Sequence, residues 1–344
     1  MRRFLLGIIC LCVVLAGVAA WSVYHRTFEP YQGYQAGEQF VDLREGSGAS
    51  EIGRRLVDGG VIRDRLTFEV ALRLSGEARR LQAGEYRFDR PMTPADVIDK
   101  IRRGDVYEHR ITFPEGLTIA EIAALFEAHG LGPAASFLEA ARDASLVTTY
   151  DPNARDLEGY LFPQTYTLRR GTPASKLIRM MVDRFEKAFP SELQQAAAER
   201  GLTVRQAVTL ASLVEKETPQ DDERPLVAAV YLNRLKKRMP MQCDPTVIYA
   251  LRKAGRYNGN LTRENLEFDS PYNTYRYPGL PPGPIAAPGR PSLEAAAMPV
   301  AVDYLYFVSR NDGSHVFART LEEHNRNVQK YQVQYFREKR LSSR

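Results

Sequence analysis

Two glutamates stand at the end of a strongly apolar stretch of the sequence. Thr203 is a residue type that caps helices, and the mostly apolar run from 204 to 214 predicts a buried helix that ends at Glu215 and Glu217. Burial disfavours the charged form of a carboxyl group and raises its pKa. A glutamate at this position could therefore stay protonated near neutral pH and donate its proton to a leaving oxygen.

Helical geometry separates the two glutamates, because residues two positions apart do not share a helix face. Only one of them can face a given cleft, and the periodicity does not decide which. The alternative is that Glu215-Lys216-Glu217 is a solvated charge run at the end of a core helix, since charge runs are usually exposed.

The rest of the sequence argues against several other chemistries. The five histidines include no pair at helical ligand spacing, and Cys243 is the one cysteine outside the apolar N-terminal stretch. The chain has no dinucleotide fingerprint, no phosphate-cradling Gly-Lys-Ser/Thr loop and no Gly-x-Ser-x-Gly nucleophile elbow. We therefore expect neither a metal nor a cofactor. The net charge of +5 comes without a long basic run, so we expect no nucleic-acid partner.

The N-terminal sequence predicts a membrane anchor. The 21 residues from Phe4 to Tyr24 are apolar apart from one serine, and roughly 20 residues are needed to cross a bilayer core. Arg2 and Arg3 precede this run, which favours a cytoplasmic N-terminus within residues 1–28 and a body on the extracytoplasmic side of the cell (inner) membrane. The alternative is a signal peptide cleaved near Gly17-Val18-Ala19, but the apolar run exceeds the usual length.

Residues 36–108 have the pattern of a small α+β module. The segments 40–43 and 85–88 are typical of strands, and Thr93-Pro94 is a cap-and-proline pair that begins a helix. Glu45-Gly46 returns 70 positions later as Glu115-Gly116, which makes a weak internal repeat of strand, turn and helix.

Residues 109–340 are mainly helical in pattern, with two segments rich in aromatic residues. The first is the stretch 158–166, and the second is the Pro-, Gly- and Tyr-rich stretch 271–291. A long irregular segment in a compact domain is usually a binding loop. The alternatives are an aromatic core corner and a structural cover. The segments 304–308 and 315–318 predict a β-hairpin.

Taken in order, these segments resemble the YceG-like (MltG) family of endolytic murein transglycosylases. The likeness covers nearly the whole chain and rests on six motifs: Leu210–Thr218, Asn233–Leu235, Asp244–Val247, Tyr272–Tyr275, Gly279–Ile285 and Tyr304–Val308. One departure is Gln164, which stands where the family commonly has Asp.

The resemblance implies that Glu217, immediately before Thr218, is the catalytic acid/base and that Glu215 supports it. Glu217 would protonate the oxygen between N-acetylmuramic acid and N-acetylglucosamine, and would then accept the proton of the muramoyl C6 hydroxyl. That hydroxyl closes onto C1 and leaves a 1,6-anhydro end. Hydrolytic glycosidases normally need two carboxylates, whereas this reaction needs one.

The resemblance also implies a substrate, further site residues and partners. The substrate is the nascent glycan strand of peptidoglycan, which the enzyme would cut to end its elongation, with wall synthases as partners. The implied fold is α+β, with a transmembrane helix, a LysM-like module at 36–108 and a mainly helical catalytic domain with a β-hairpin at 109–340. The expected substrate contacts are Glu158, Tyr160, Glu215, Asn233, Tyr272, Asn273 and Tyr275.

Two other functions stay open from the sequence. One is a noncatalytic wall-binding scaffold that uses the LysM-like module. The other is a muramidase, an inverting hydrolase in which Asp221, Asp222, Asp244 or Asp269 supplies the base. The sugar end that the reaction leaves distinguishes the hydrolase from the transglycosylase.

Overall fold

The structure is a computed structural model that describes residues 2–342, with side chains described for residues 7–340. The chain divides into two compact units. Unit 1 comprises Met1–Arg110 and Thr167–Arg170, and unit 2 comprises Ile111–Tyr166 and Gly171–Arg344.

Unit 1 begins with the apolar helix α1, Arg2–Thr27. Its segment Gly7–Thr27 is the one described helix that is long and apolar enough to cross a membrane. The side chains of Arg2, Arg3 and Phe4, on which part of the sequence prediction rests, lie outside the described side chains. The helix ends where Thr27 is buried and its hydroxyl donates to the carbonyl of Tyr24 at 2.6 Å.

The rest of unit 1 is a small α+β fold. Strand β1, Gln39–Leu43, is followed by helices α2, Ala49–Asp58, and α3, Arg65–Ser75. Strand β2, Gly84–Phe88, and helix α4, Pro94–Arg103, come next. The two predicted strands are present and pair antiparallel, and Thr93 begins α4 with a capping box.

The core of unit 1 lies between the β1–β2 ribbon and the helices α2, α3 and α4. Its central side chains are almost completely buried: Val41, Leu43, Leu56, Phe68, Tyr86, Phe88, Val97 and Ile101. Alternate residues of each strand point to this core because successive side chains lie on opposite faces of a strand. The Tyr86 hydroxyl donates to the carbonyls of Gln82 and Ile101, so burial leaves this polar group satisfied.

Strands β3, Glu108–Phe113, and β4, Gln164–Arg169, pair with each other. Between them lie helices α5, Ile119–Ala128, and α6, Ala134–Ala140. Helix α5 begins with a capping box, since Thr118 and Glu121 each accept a backbone hydrogen bond from the other. This box fixes the start of α5.

Helices dominate unit 2. After α7, Ala174–Ala188, and α8, Ser191–Ala198, comes α9, Val204–Glu217. It is followed by α10, Arg224–Lys236, α11, Asp244–Lys253, and α12, Arg290–Ala297. Helix α9 contacts α8, α10, α11 and α12, and every residue from 207 to 214 is buried. The prediction of a buried helix capped by Thr203 is confirmed.

Unit 2 ends in a hairpin and helices. Strand β5, Tyr306–Ser309, pairs antiparallel with β6, His315–Ala318. Helix α13, Leu321–Val328, passes through a π-helical turn at Gln329–Gln334 into α14, Tyr335–Ser342. The described chain is therefore α+β, as the sequence predicts.

Helix α3 offers a matched test of the unit 1 core. Phe68 is fully buried, whereas Leu74 on the same helix is 65% exposed. We expect Phe68→Ala to lower the free energy of unfolding by about 3–5 kcal/mol and Leu74→Ala to change it by no more than about 0.5 kcal/mol. Urea denaturation of the detergent-solubilised full chain, monitored by the hydrogen exchange of the β1 and β2 amides, measures the free energy of unfolding of both variants. Similar losses for the two variants would contradict this core.

Candidate active site

The end of α9 places Glu217 among side chains from other elements of unit 2. The helix stops there because Thr218 takes an extended conformation and Pro219 follows. The hydroxyl of Tyr231, on α10, donates to Oε1 of Glu217 at 2.7 Å. The Cys243 thiol, just before α11, also hydrogen-bonds this carboxyl.

Burial is the main influence on the protonation of Glu217. Although the residue keeps some exposed surface, its carboxyl group is surrounded by protein atoms, and this desolvation raises its pKa. The donors Cys243 and Tyr231 and the nearby His315 oppose the shift, while the negative charge of Asp244 adds to it. The net result is a carboxyl group that stays protonated at higher pH than an ordinary glutamate.

The two donors keep their own protons. Burial raises the pKa of the Tyr231 hydroxyl and of the Cys243 thiol well above their usual values, and the Glu217 carboxylate raises both further. Tyr231 donates to Oε1 of Glu217, so both donors present a proton to the carboxyl group. The site therefore contains a buried carboxyl group with two hydrogen-bond donors that stay protonated.

A second carboxylate supports this site without touching Glu217. Glu223 accepts hydrogen bonds from the Thr218 hydroxyl at 3.2 Å and from the His315 backbone N–H at 2.7 Å. It also lies 2.7 Å from Nδ1 of His315. These contacts tie the residue after Glu217 to strand β6 and fix the His315 ring beside the site.

Glu215 has partners on the opposite side of α9. Its side chain is 6% exposed and accepts hydrogen bonds from the Gly289 backbone N–H at 3.0 Å and the Ser292 hydroxyl at 2.7 Å. The guanidinium of Arg224 lies 3.4 Å from its other oxygen. Glu215 therefore joins α9 to the start of α12. Both glutamate carboxyl groups are enclosed by protein, so the alternative of a solvated charge run is wrong for Glu215 and Glu217, whereas Lys216 between them is exposed.

The loop 272–275 reaches the site through Tyr275. The Tyr275 hydroxyl donates to Oδ1 of Asp244 at 2.6 Å. Asn273 is fully buried, donates to the carbonyls of Leu266 and Phe268, and accepts from the Tyr275 backbone N–H. Its amide therefore shapes the loop and has no surface open to a ligand.

Thr274 fastens the same loop to the start of α11. Its hydroxyl accepts from the Cys243 N–H at 3.0 Å, and its carbonyl accepts from the Gln242 N–H at 3.3 Å. Gln242 has a φ of 51°, a left-handed conformation that is uncommon outside glycine. The bonds to Thr274 hold this strained residue and so position the Cys243 thiol.

Glu158 and Tyr160 form their hydrogen bonds with other parts of unit 2, and neither bonds Glu217 or the two donors to Glu217. Glu158 accepts from the Ile119 backbone N–H at 3.0 Å and the Tyr249 hydroxyl at 3.1 Å, and burial raises its pKa to about 8. Tyr160 is fully buried, and its hydroxyl donates to Asp151 at 2.6 Å. The ring of Tyr160 therefore has no face open to a saccharide.

The sequence comparisons give the family. The sequence model of the YceG-like family matches residues 41–330. This chain belongs to the YceG-like family.

Two curated relatives and one solved structure agree with this assignment. The endolytic murein transglycosylase of Bacillus subtilis (strain 168) is 34% identical over 310 residues, which cover 85% of this chain and 84% of that protein. That of Streptococcus pneumoniae serotype 2 (strain D39 / NCTC 7466) is 32% identical over 318 residues, 84% of this chain but 57% of that longer protein. A crystal structure of a YceG-like protein from Listeria monocytogenes has a TM-score of 0.59 at 33% identity and covers 84% of this chain and 98% of its own.

In this YceG-like chain, the structure brings together some of the expected site residues and separates others. Tyr275 lies on the Glu217 side of the loop, whereas the Tyr272 ring packs against the Tyr249 ring, with the two ring centres 4.9 Å apart and the planes tilted by 53°. The Asn233 amide donates to the carbonyls of Val302 and Tyr304, so it anchors the segment before β5.

Sequence reasoning did not name Tyr231, Cys243 or His315 as neighbours of the acid. Tyr231 lies two residues before the Asn-Arg-Leu motif, and Cys243 lies immediately before the Asp-Pro-Thr-Val motif. Their positions next to these motifs were the signal that could have identified them.

Of the four aspartates considered as a hydrolytic base, Asp244 has a charge that acts on Glu217. Among the described residues, no group of three or more His, Cys, Asp or Glu side chains is arranged to hold a metal ion.

Removal of the Tyr231 hydroxyl tests its effect on the acid. Because this donor lowers the pKa of Glu217, we expect Tyr231→Phe to raise that pKa further. Carboxyl-carbon NMR titration of the full chain labelled at glutamate measures it, and Glu217→Gln identifies the signal. The control is Tyr277→Phe, which removes an exposed hydroxyl bonded to Asp269. An unchanged or lowered Glu217 pKa in Tyr231→Phe would contradict the assigned contact.

Proposed function

We propose that this chain is an endolytic lytic transglycosylase of peptidoglycan and that Glu217 is its catalytic acid/base. The observation that carries the proposal is a buried carboxyl group of raised pKa at the end of α9, held by Tyr231 and Cys243. Membership of the YceG-like family and the names of the two relatives support the same reaction.

The reaction begins with a proton transfer from Glu217. The protonated carboxyl donates to the glycosidic oxygen between N-acetylmuramic acid and N-acetylglucosamine, and the bond from that oxygen to muramoyl C1 breaks. The carboxylate left behind keeps its hydrogen bonds from Tyr231 and Cys243, and hydrogen bonds to the charged form stabilise it. These donors therefore limit the cost of losing a proton from a buried carboxyl.

The second step returns the proton. The muramoyl C6 hydroxyl attacks C1, its proton passes to the Glu217 carboxylate, and a new C1–O6 bond completes the 1,6-anhydro ring. The acid is regenerated and no water is consumed. One carboxyl group therefore serves both steps, whereas a hydrolase would need a second carboxylate to activate water.

The residues expected at the substrate fall into those that lie beside Glu217 and those that are bonded to other parts of the protein. Tyr275 is half-buried beside Asp244 and Glu217, so we propose that its ring borders the sugar at the cleavage point. Glu215, Asn233 and Asn273 are bonded to other parts of the protein. We propose that they act indirectly, by holding the elements around the cleft, and we omit the buried Tyr160 from the substrate contacts.

We further propose where the enzyme works. The apolar helix Gly7–Thr27 supports a single membrane span within residues 1–28, and the basic residues before it favour a catalytic body outside the cytoplasm. The proposed domains are a LysM-like module at 36–108 and a catalytic domain at 109–340. An enzyme anchored in this way would cut nascent strands near the membrane and limit their length, with wall synthases as partners.

Analysis of the products tests the reaction. We expect mass spectrometry of uncrosslinked strands treated with the detergent-solubilised full chain to find 1,6-anhydro-muramoyl ends. Glu217→Gln should lower the rate by at least about 100-fold, because it removes the acid/base. The matched control is Glu199→Gln, at an exposed position of unit 2. The rate should also fall as pH rises through the raised pKa of Glu217, since the first step needs the protonated form.

Other products would contradict the proposal in different ways. Reducing muramoyl ends would indicate a hydrolase, and Asp244 would then be the candidate base because its charge acts on Glu217. Absence of cleavage by any form, including the Glu199→Gln control, would favour a noncatalytic wall-binding scaffold.

The LysM-like module has a separate test. We expect soluble glycan strands to slow amide hydrogen exchange in residues 36–108 of the full-length Glu217→Gln chain, because a bound ligand suppresses local opening. Exchange is measured with and without strands, and an unrelated soluble polysaccharide serves as the control. Protection confined to residues 109–340 would refute a peptidoglycan-binding role for the module.

A further inference from the structure

Unit 2 contains a cavity whose lining includes Glu158 and not Glu217. It is a cavity of about 410 Å³ between α5, α6, α11 and the segment 156–158, which is within the usual size of small-ligand pockets. Its apolar lining comes from Ile119, Ala124, Leu138 and Ala141, with the ring of Tyr249. We call this cavity the Glu158 pocket.

The rim of the Glu158 pocket carries charges of both signs. Its basic residues are Arg142, Arg252 and Lys253, and its acidic residues are Glu121 and Asp156, whereas Glu158 is buried in the lining. The Lys253 ammonium lies 5.6 Å from the centre of the Tyr249 ring and 5.5 Å from that of Tyr272. An occupant that fits this lining has small aliphatic groups together with carboxylate and amine groups.

The lining is poorly suited to a sugar alone. A saccharide presents hydroxyl groups over most of its surface, and each one buried without a partner carries a desolvation cost. In the pocket, Glu158 already bonds the Ile119 N–H and the Tyr249 hydroxyl, and Arg252 pairs with Glu121. The aliphatic side chains of α5 and α6 instead fit methyl groups.

Two elements limit the distance between the pocket and Glu217. Helix α11 starts at Asp244, whose charge acts on Glu217, and ends with Arg252 and Lys253 on the pocket rim. Its ten residues span about 15 Å. The loop from Tyr275 to Tyr272 covers at most about 11 Å. A group attached to a sugar near the cleavage point can therefore reach the pocket.

We propose that the Glu158 pocket binds the peptide stem carried by a muramoyl residue beside the scissile bond. The alanine methyl groups of the stem lie on the apolar lining, its carboxylates face Lys253, and an amine of the stem faces Asp156. This inference rests on the proposed function, because the stem belongs to that substrate.

The protonation of Glu158 is consistent with such a ligand. Burial raises its pKa to about 8, so this carboxyl is mostly neutral at pH 7 and does not repel the carboxylates of a stem. The polar groups that remain charged are at the rim, where they can pair with the ends of a short peptide.

A substitution that fills the pocket tests the proposal. Ala124 is exposed and lines the pocket, so Ala124→Trp blocks the cavity without burying a new group in the core. The control is Ala198→Trp, at an exposed position of α8 outside this lining. Both full-length variants are compared with the unsubstituted protein on strands that bear peptide stems and on strands stripped of stems by an amidase.

The measured quantity is the ratio of kcat/KM for stem-bearing strands to that for stem-free strands. We expect a ratio of roughly ten for the unsubstituted protein and for Ala198→Trp, equivalent to about 1.4 kcal/mol, and a ratio near one for Ala124→Trp. If Ala124→Trp lowers both kcat/KM values equally, the pocket holds glycan and the proposal is overturned. A ratio near one for the unsubstituted protein overturns it as well.

A binding measurement separates this proposal from the proposed function. Calorimetry of full-length Glu217→Gln with the free pentapeptide L-Ala–γ-D-Glu–L-Lys–D-Ala–D-Ala should detect binding that is lost in the double variant with Ala124→Trp. Such binding without cleavage of any strand by the unsubstituted protein would refute the transglycosylase function and support the pocket. Cleavage without discrimination and without peptide binding would refute the pocket alone.

Discussion

The burial of helix α9 is the constraint on which the candidate site depends. Four helices surround it, and every residue from 207 to 214 is buried, so the helix brings two glutamates to its end among protein atoms. Buried carboxylates need hydrogen bonds or opposite charges. Glu215 has them from Gly289, Ser292 and Arg224, whereas Glu217 has the weaker set of Tyr231 and Cys243. This difference makes Glu215 a structural link and leaves Glu217 able to exchange a proton.

The surroundings of Glu217 hold it in place through groups that are themselves fixed. Glu223 joins Thr218 to His315, and Thr274 joins the loop 272–275 to the residues before α11. On α10, Arg234 is 8% exposed and donates to the carbonyls of Leu305 and Met241. A donor that is already oriented needs no rearrangement when charge develops on the carboxyl group. The same bonds that stabilise unit 2 therefore also fix the groups around Glu217.

The Glu158 pocket is built on the same scaffold as the surroundings of Glu217. Helix α11 contributes Asp244 near Glu217 and Lys253 at the pocket rim. Because both ends of α11 belong to one rigid helix, the distance between acid and pocket is fixed. A strand whose sugar and stem match this distance would be oriented at two points, and such orientation contributes to catalysis as well as to affinity.

The sequence by itself determined the local features of this protein. Capping residues and apolar periodicity predicted α9, and the order of the motifs indicated the YceG-like family, a resemblance that implies Glu217 as the acid/base. These signals are readable because they depend on residues within a few positions of one another. The tertiary structure decided which side chains surround the acid: Tyr231 is 14 residues away, and His315 comes from the distant strand β6. It also decided that Tyr160 and Asn273, expected at the substrate, are fully buried. The physical reason is that a side chain's partners are set by which elements pack together, and residue type alone does not specify that packing.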